Sequence, residues 1–131
     1  MGLDTPHDCW HGPYSSFNRW RNRVAQAAGY PVGTPDGDYM TQVLLDYSPY
    51  THENYFGKWE IAPAEPMIVL ICHSDCDGYI YPEHAGPLAD RLKELLPLLQ
   101  GEDDVWFLEK TKQFIKGLKK ASKRNQKVEF G

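Results

Sequence analysis

Hydrophobic residues recur every three or four positions in three parts of the chain, and this spacing predicts three amphipathic helices. The first covers residues 15–28 and ends before Gly29, a residue type that stops helices. The second begins at Pro87 and carries a stripe of leucines until Pro97 kinks or ends it. The third follows Gly101. Each apolar stripe indicates a face that packs into a core.

A run of six apolar residues, Met67 to Cys72, is the clearest predicted strand. It is short and rich in β-branched side chains, Pro66 precedes it, and a polar segment follows it. Because it is apolar on both faces, we expect it at the centre of a sheet. The predicted fold class is therefore α+β, with a small sheet around residues 67–72 packed by about three helices.

Residues 30–66 show no clear periodicity, and we expect an irregular segment there. It is rich in proline and glycine and holds five of the eight tyrosines of the chain. Long irregular segments inside small domains often serve binding. Two interpretations of these aromatic side chains stay open. They could form a recognition surface for a small ligand or a host protein, or they could pack over the sheet.

The chain has 131 residues, of which 41% are hydrophobic, and this describes one domain over residues 1–131. No apolar run approaches the roughly 18 residues of a membrane span, so we expect no membrane partner. The first 20 residues lack the basic start and apolar core of a signal peptide. Together with an odd count of three cysteines, this favours a reducing, cytoplasmic location.

Charge is distributed unevenly along the chain. Residues 1–109 contain 6 lysines and arginines against 17 acidic residues, whereas residues 110–131 contain 8 against 1. The two parts have formal charges of −11 and +7, which together give −4. A basic tail is typical of nucleic-acid-binding arms, but cations in the last turns of a helix also complement its dipole. We favour the second explanation, so nucleic acid is not the expected partner.

The N-terminal segment carries a first set of candidate metal ligands. In an extended strand, alternate residues face the same way, so His7, Cys9 and His11 would share a face. Imidazole and thiolate are ligands that zinc prefers. The alternative is a polar segment in which the histidines form hydrogen bonds and the cysteine is buried.

A second set of candidate ligands follows the predicted strand, in a segment of sequence HSDCDG that we call the polar loop (residues 73–78). His73, Asp75, Cys76 and Asp77 place four groups within five residues, as a divalent metal site or an acid–base pair would require. The spacing partly matches a calcium loop, but histidines stand at its first and last positions. The alternative is a tight turn with Gly78 at a positive φ.

The two sets together predict a divalent metal site, with zinc favoured over calcium because histidine nitrogens and cysteine sulfurs would bind the ion, while Asp75 or Asp77 would orient the imidazoles. Pairing of the N-terminal segment with the strand would bring them together. Three functional interpretations stay open. They are a protein with a candidate metal site of undefined activity, a non-enzymatic module that binds a host protein or small ligand through the tyrosine-rich segment, and a small metal-dependent hydrolase.

Several stretches of the sequence share a pattern with known proteins. They are MGLD (1–4), HDxWxGxY (7–14), FxxWR (17–21), HSDCDG (73–78), GPLADRL (86–92), LLP (95–97), TxxFIxGL (111–118) and VEF (128–130). In these stretches the chain resembles a family of small uncharacterised proteins from bacteriophages, prophages and bacteria. The resemblance implies an intracellular protein of phage or mobile-element type, an accessory or host-manipulation factor. It implies no particular reaction.

Overall fold

Helices make up most of the part of the chain that the structure describes, and two small sheets accompany them there. The computed structural model describes residues 2–30, 52–74 and 76–130, so part of the predicted irregular segment (31–51) and the candidate ligand Asp75 lie outside the described residues. Its helices are α1 (Tyr14–Ala27), α2 (His52–Tyr55), α3 (Met67–Ile71), α4 (Pro82–Leu95) and α5 (Val105–Lys123). Its strands are β1 (Gly2–Asp4), β2 (His11–Pro13), β3 (Tyr79–Ile80) and β4 (Val128–Glu129).

The three predicted amphipathic helices are present as α1, α4 and α5, and the α+β class is confirmed. Helix α4 begins at Pro82, five residues before the predicted start, because Pro82 occupies the first turn and exposed Pro87 is accommodated inside the helix. It ends at Leu95, where a 3-10 turn that contains Pro97 follows. Helices α4 and α5 form the most extensive contact between two elements.

The predicted central strand over residues 67–72 is wrong, because Met67–Ile71 forms the short helix α3. Pro66 has helical dihedral angles, and the amide of Val69 donates to its carbonyl at 3.1 Å. All five residues of α3 are buried, so no alternation of polar and apolar residues separates a strand from a buried helical turn. The expected sheet around this segment is replaced by two separate two-stranded sheets.

The two sheets hold the ends of the chain against the helices. Strands β1 and β2 are antiparallel, with Leu3 opposite Gly12. Strands β3 and β4 are also antiparallel, with Ile80 opposite Val128. Because Leu3, Ile80 and Val128 are fully buried, each sheet contributes an apolar side chain to the core.

An aromatic cluster joins α1 to α5 at the centre of the molecule. The rings of Trp20 and Phe114 lie 4.7 Å apart, and Trp10 and Phe17 pack edge-on at 5.4 Å. The indole N–H of Trp20 donates to Thr111 Oγ1 at 2.9 Å, so its buried polar group is satisfied. This cluster gives the polar loop a rigid support, since the loop is attached to the C-terminal end of α3, which packs on α1.

Candidate functional site

His73 lies at the centre of the candidate site and is fully buried. Its Nδ1 lies 2.8 Å from the carbonyl oxygen of Ser74, and its Nε2 lies 2.8 Å from that of Tyr79. The ring also packs on Phe130, with 4.3 Å between centroids. Burial lowers the pKa of His73, although the two carbonyl oxygens act in the opposite direction. The imidazole therefore ties the two ends of the polar loop together.

The rest of the polar loop is held by its own hydrogen bonds. Ser74 Oγ accepts from the backbone amides of Cys76 and Asp77, each at 3.1 Å. Asp77 Oδ1 accepts from the amide of Gly78 at 2.7 Å, and Gly78 has a φ of 83°. These are the bonds of a tight turn, which the sequence offers as the alternative to a metal site. Cys76 and Asp77 are exposed residues, and the Cys76 Sγ lies 3.7 Å from Ser74 Oγ.

The buried side chain of Arg21 binds the backbone where α3 meets the polar loop. The sequence pattern did not predict this contact. The Arg21 guanidinium donates through Nη1 to the carbonyl oxygens of Leu70 and His73. Its Nη2 donates to Asn18 Oδ1 at 2.6 Å. The spacing could have identified it, because Arg21 follows buried Phe17 by four residues on the same helix face.

The predicted shared face of His7, Cys9 and His11 is wrong. His7 and Asp8 have φ angles of 63° and 58°, so the segment turns between β1 and β2 and does not run as an extended strand. Cys9 is fully buried against α5, and burial raises the pKa of its thiol to about 12. Asp4 lies beside His11 on the neighbouring strand.

His11 instead lies between two carboxylates at the surface. Its Nε2 is 3.0 Å from Asp8 Oδ1, and its Nδ1 forms a hydrogen bond with Asp4 Oδ1. Asp8 first and Asp4 second raise the pKa of His11, because both stabilise the imidazolium. Within residues 2–30, 52–74 and 76–130, no group of three or more histidine, cysteine, aspartate or glutamate side chains is arranged to hold a metal ion.

A cavity of about 250 Å³ opens beside the polar loop, and we call it the acidic cavity. Two segments form its walls, α2 with the turn after it and the end of the polar loop with β3. The amide of Tyr79 donates to the Phe56 carbonyl at 3.0 Å, and the amide of Ser74 donates to the Tyr55 carbonyl at 2.8 Å. Its lining residues are Glu53, Phe56, Lys58, Asp77, Gly78 and Tyr79.

Two glycines allow these segments to approach so closely. Gly57 and Gly78 have φ angles of 90° and 83°, a region that favours glycine. A Cβ atom on Gly57 would lie 1.6 Å from the Tyr79 carbonyl oxygen, and one on Gly78 would lie 2.6 Å from the Phe56 carbonyl oxygen. The cavity is therefore fixed by a direct contact between two backbones.

Comparison with known proteins gives no relative from which a function could be taken. No protein-family model, curated protein or solved structure matches the chain. Among the helices that the structure describes, none is long and apolar enough to cross a membrane.

Proposed function

We propose that the protein is a non-enzymatic binding module whose acidic cavity takes a cationic group of a small ligand or of a partner protein. The observation that carries this proposal is that Glu53 and Asp77, from separate segments, line one cavity together with the aromatic residues Phe56 and Tyr79. Carboxylates pair with ammonium and guanidinium groups, and aromatic faces attract the same cations.

The charges around the cavity specify the ligand further. Lys58 also lines it, so its three ionised side chains leave one net negative charge. A ligand with a single positive charge, such as a lysine or arginine side chain, would balance that charge. Glu53, Phe56 and Lys58 belong to the tyrosine-rich segment (30–66), so this proposal uses part of that segment for recognition.

We favour binding over catalysis because the His73 imidazole and the Ser74 hydroxyl form hydrogen bonds within the polar loop and so hold its backbone in place. Both nitrogens of His73 contact backbone carbonyls, and Ser74 Oγ accepts two backbone amides. In this role the loop presents the Asp77 carboxylate on a fixed backbone. The proposal places the protein in the host-cell cytoplasm, the location implied by its resemblance to phage-type proteins.

The test is a titration of the ¹⁵N-labelled protein with N-acetyl-lysine methylamide, followed by amide chemical shifts. We expect shifts concentrated at Phe56, Gly78 and Tyr79. Asp77→Asn should raise the Kd about fivefold, which corresponds to ~1 kcal/mol. Asn keeps the oxygen that accepts the Gly78 amide, so the loop should stay folded.

Two controls separate recognition from a general charge effect. Asp90→Asn removes the same charge from an exposed position on α4 and should leave the Kd unchanged. The uncharged probe N-acetyl-glutamine methylamide should not shift the cavity residues. Scattered shifts, or equal losses for the Asp77 and Asp90 variants, would show that the cavity does not recognise a cation.

A further inference from the structure

A second cavity lies at the other end of the β3–β4 strand pair, next to the residues that follow β3 and precede β4, and it differs in charge from the first. Its volume is about 390 Å³, within the range of small-molecule sites. Three elements form it, namely the turn between β1 and β2, the start of α4 and the segment from α5 to β4. We call it the basic cavity, and its lining residues are His7, Tyr81, Pro82, Asn125, Gln126 and Lys127.

The side chains of the basic cavity are suited to an anion. Lys127 supplies an ammonium, Asn125 and Gln126 supply amide N–H donors, and Tyr81 and His7 can each donate one hydrogen bond. Among the described residues that line this cavity, none carries a carboxylate. The neighbouring carboxylate of Asp8 is already bonded to His11.

The surroundings of the cavity add positive potential. It lies beside the C-terminal part of α5, within the region of net charge +7. The pKa of Asp8 is lowered chiefly by its hydrogen bond with His11 and further by the charges of Lys120 and Lys116. These lysines therefore lie close enough to the His7–Asp8 turn to influence an anion beside it.

Two of the donors are held in place before any ligand arrives. The Lys127 ammonium lies 4.2 Å from the centroid of the Tyr79 ring, a cation–π contact that restricts its position. The turn that carries His7 is anchored to α5, since the side-chain amide of Gln113 donates to the Asp8 carbonyl at 2.9 Å. Preorganised donors lose less entropy on binding.

The backbone at His7 points to a role for its side chain. A left-handed conformation costs a non-glycine residue about 1–2 kcal/mol, and such residues cluster at ligand sites. Asn125 is also left-handed at 53°, but it terminates α5, where the amide of Gln126 donates to the Ala121 carbonyl at 2.9 Å. Helix termination explains Asn125, whereas His7 takes this conformation with Asp8 in the turn between β1 and β2, where His7 lines the cavity.

From this arrangement we propose that the basic cavity binds a small organic anion through a phosphate or carboxylate head group, with Lys127 and His7 as its principal contacts. This site is separate from the acidic cavity, and its ligand has the opposite charge. A phosphate ester and a carboxylate share this chemistry, so the experiment uses one probe for each.

The test is an NMR titration with inorganic phosphate and, separately, with succinate, at constant ionic strength. We expect amide shifts at His7 and at residues 125–127. Shifts with phosphate alone assign a phosphate head group, shifts with succinate alone assign a carboxylate, and shifts with both support an anion site of either kind. Lys127→Gln should raise the Kd about three- to fivefold.

Lys119→Gln is the matched control, because it removes the same charge from an exposed position of α5 outside the cavity. It should change the Kd less than about twofold. The proposal is overturned if neither anion shifts the cavity residues or if the two lysine variants weaken binding equally. It is also overturned if only a single-stranded oligonucleotide binds, with equal losses for both variants, since the basic face of α5 would then act as a polyanion surface.

Discussion

The acidic and basic cavities flank the same two-residue strand pair, yet their backbones are built differently. The acidic cavity is bordered by Gly57 and Gly78, and both glycines are left-handed where two backbones touch. The basic cavity is bordered by His7 and Asn125, which keep their side chains in the same conformational region. At the first cavity, space requires glycine at both positions, whereas His7 and Asn125 line the second cavity and Asn125 takes this conformation where it ends α5.

The two cavities therefore show two roles for residues in the left-handed backbone conformation. Where one backbone segment must lie close to another, glycine is needed because it has no side chain. Where a ligand must be contacted, the side chain is retained and the conformation costs free energy of folding. Substitutions at the two cavities should therefore change stability in opposite directions.

Gly57→Ala should have the largest effect on stability. Its Cβ would meet the Tyr79 carbonyl oxygen, so the two segments must separate, and we expect a loss of about 3 kcal/mol or more. Urea unfolding measures the loss. Gly29→Ala is the control, because Gly29 has a similar φ of 95° with nothing within 4 Å of its Cβ position, and it should cost only about 1 kcal/mol. Equal losses would mean that the backbone contact does not form.

His73→Gln should have the next largest effect, about 2–3 kcal/mol, because it disrupts the one hydrogen bond that the neutral buried ring donates to a carbonyl oxygen and removes the packing of the ring on Phe130. Amide hydrogen exchange should accelerate at residues 74–79 and change little at residues 121–128, around the basic cavity. Similar acceleration in both regions would contradict a local role for His73.

The same variant tests the pH dependence of stability. Burial lowers the pKa of His73 in the folded protein, so the unfolded chain binds more protons in the range below about pH 6.5. Stability should therefore fall as the pH drops through this range, and it should fall less steeply in His73→Gln. Burial also lowers the pKa of His84, so the difference between the two curves isolates the contribution of His73.

His7→Gly should give the smallest effect and the opposite sign. Relief of the left-handed conformation should stabilise the fold by about 0.5–1 kcal/mol, while the loss of the imidazole weakens phosphate binding. Thermal unfolding and the phosphate titration measure the two effects on the same sample. Lower stability with unchanged phosphate binding would show that the conformation of His7 serves the fold.

Helical periodicity revealed α1, α4 and α5 because each has a polar face against an apolar one. Residues 67–71 are apolar on all sides, and the sequence therefore lacked the contrast that separates a strand from a short helix. The α+β class was correct for a different reason than expected, since its strands lie near the chain ends and around the polar loop.

For the polar loop the sequence offers a tight turn as one alternative, and the hydrogen bonds of Ser74 and Asp77 and the positive φ of Gly78 agree with it. What the sequence could not supply was the partner of each group. Arg21 and Gly57 lie far from the polar loop along the chain, whereas the carbonyl partners of His73, Ser74 and Tyr79, lie within six residues of it. Such long-range contacts leave no short motif.

The most direct test of the account concerns the two nitrogens of His73. In a long-range ¹⁵N–¹H spectrum, we expect the His73 ring to keep a slowly exchanging N–H and to titrate below the ordinary histidine pKa, whereas His11 titrates above it. One equivalent of zinc should leave the His73 nitrogen shifts unchanged, because both nitrogens contact carbonyl oxygens. A zinc-dependent shift at His73 would contradict its role as the residue that closes the polar loop and would restore a metal site in its place.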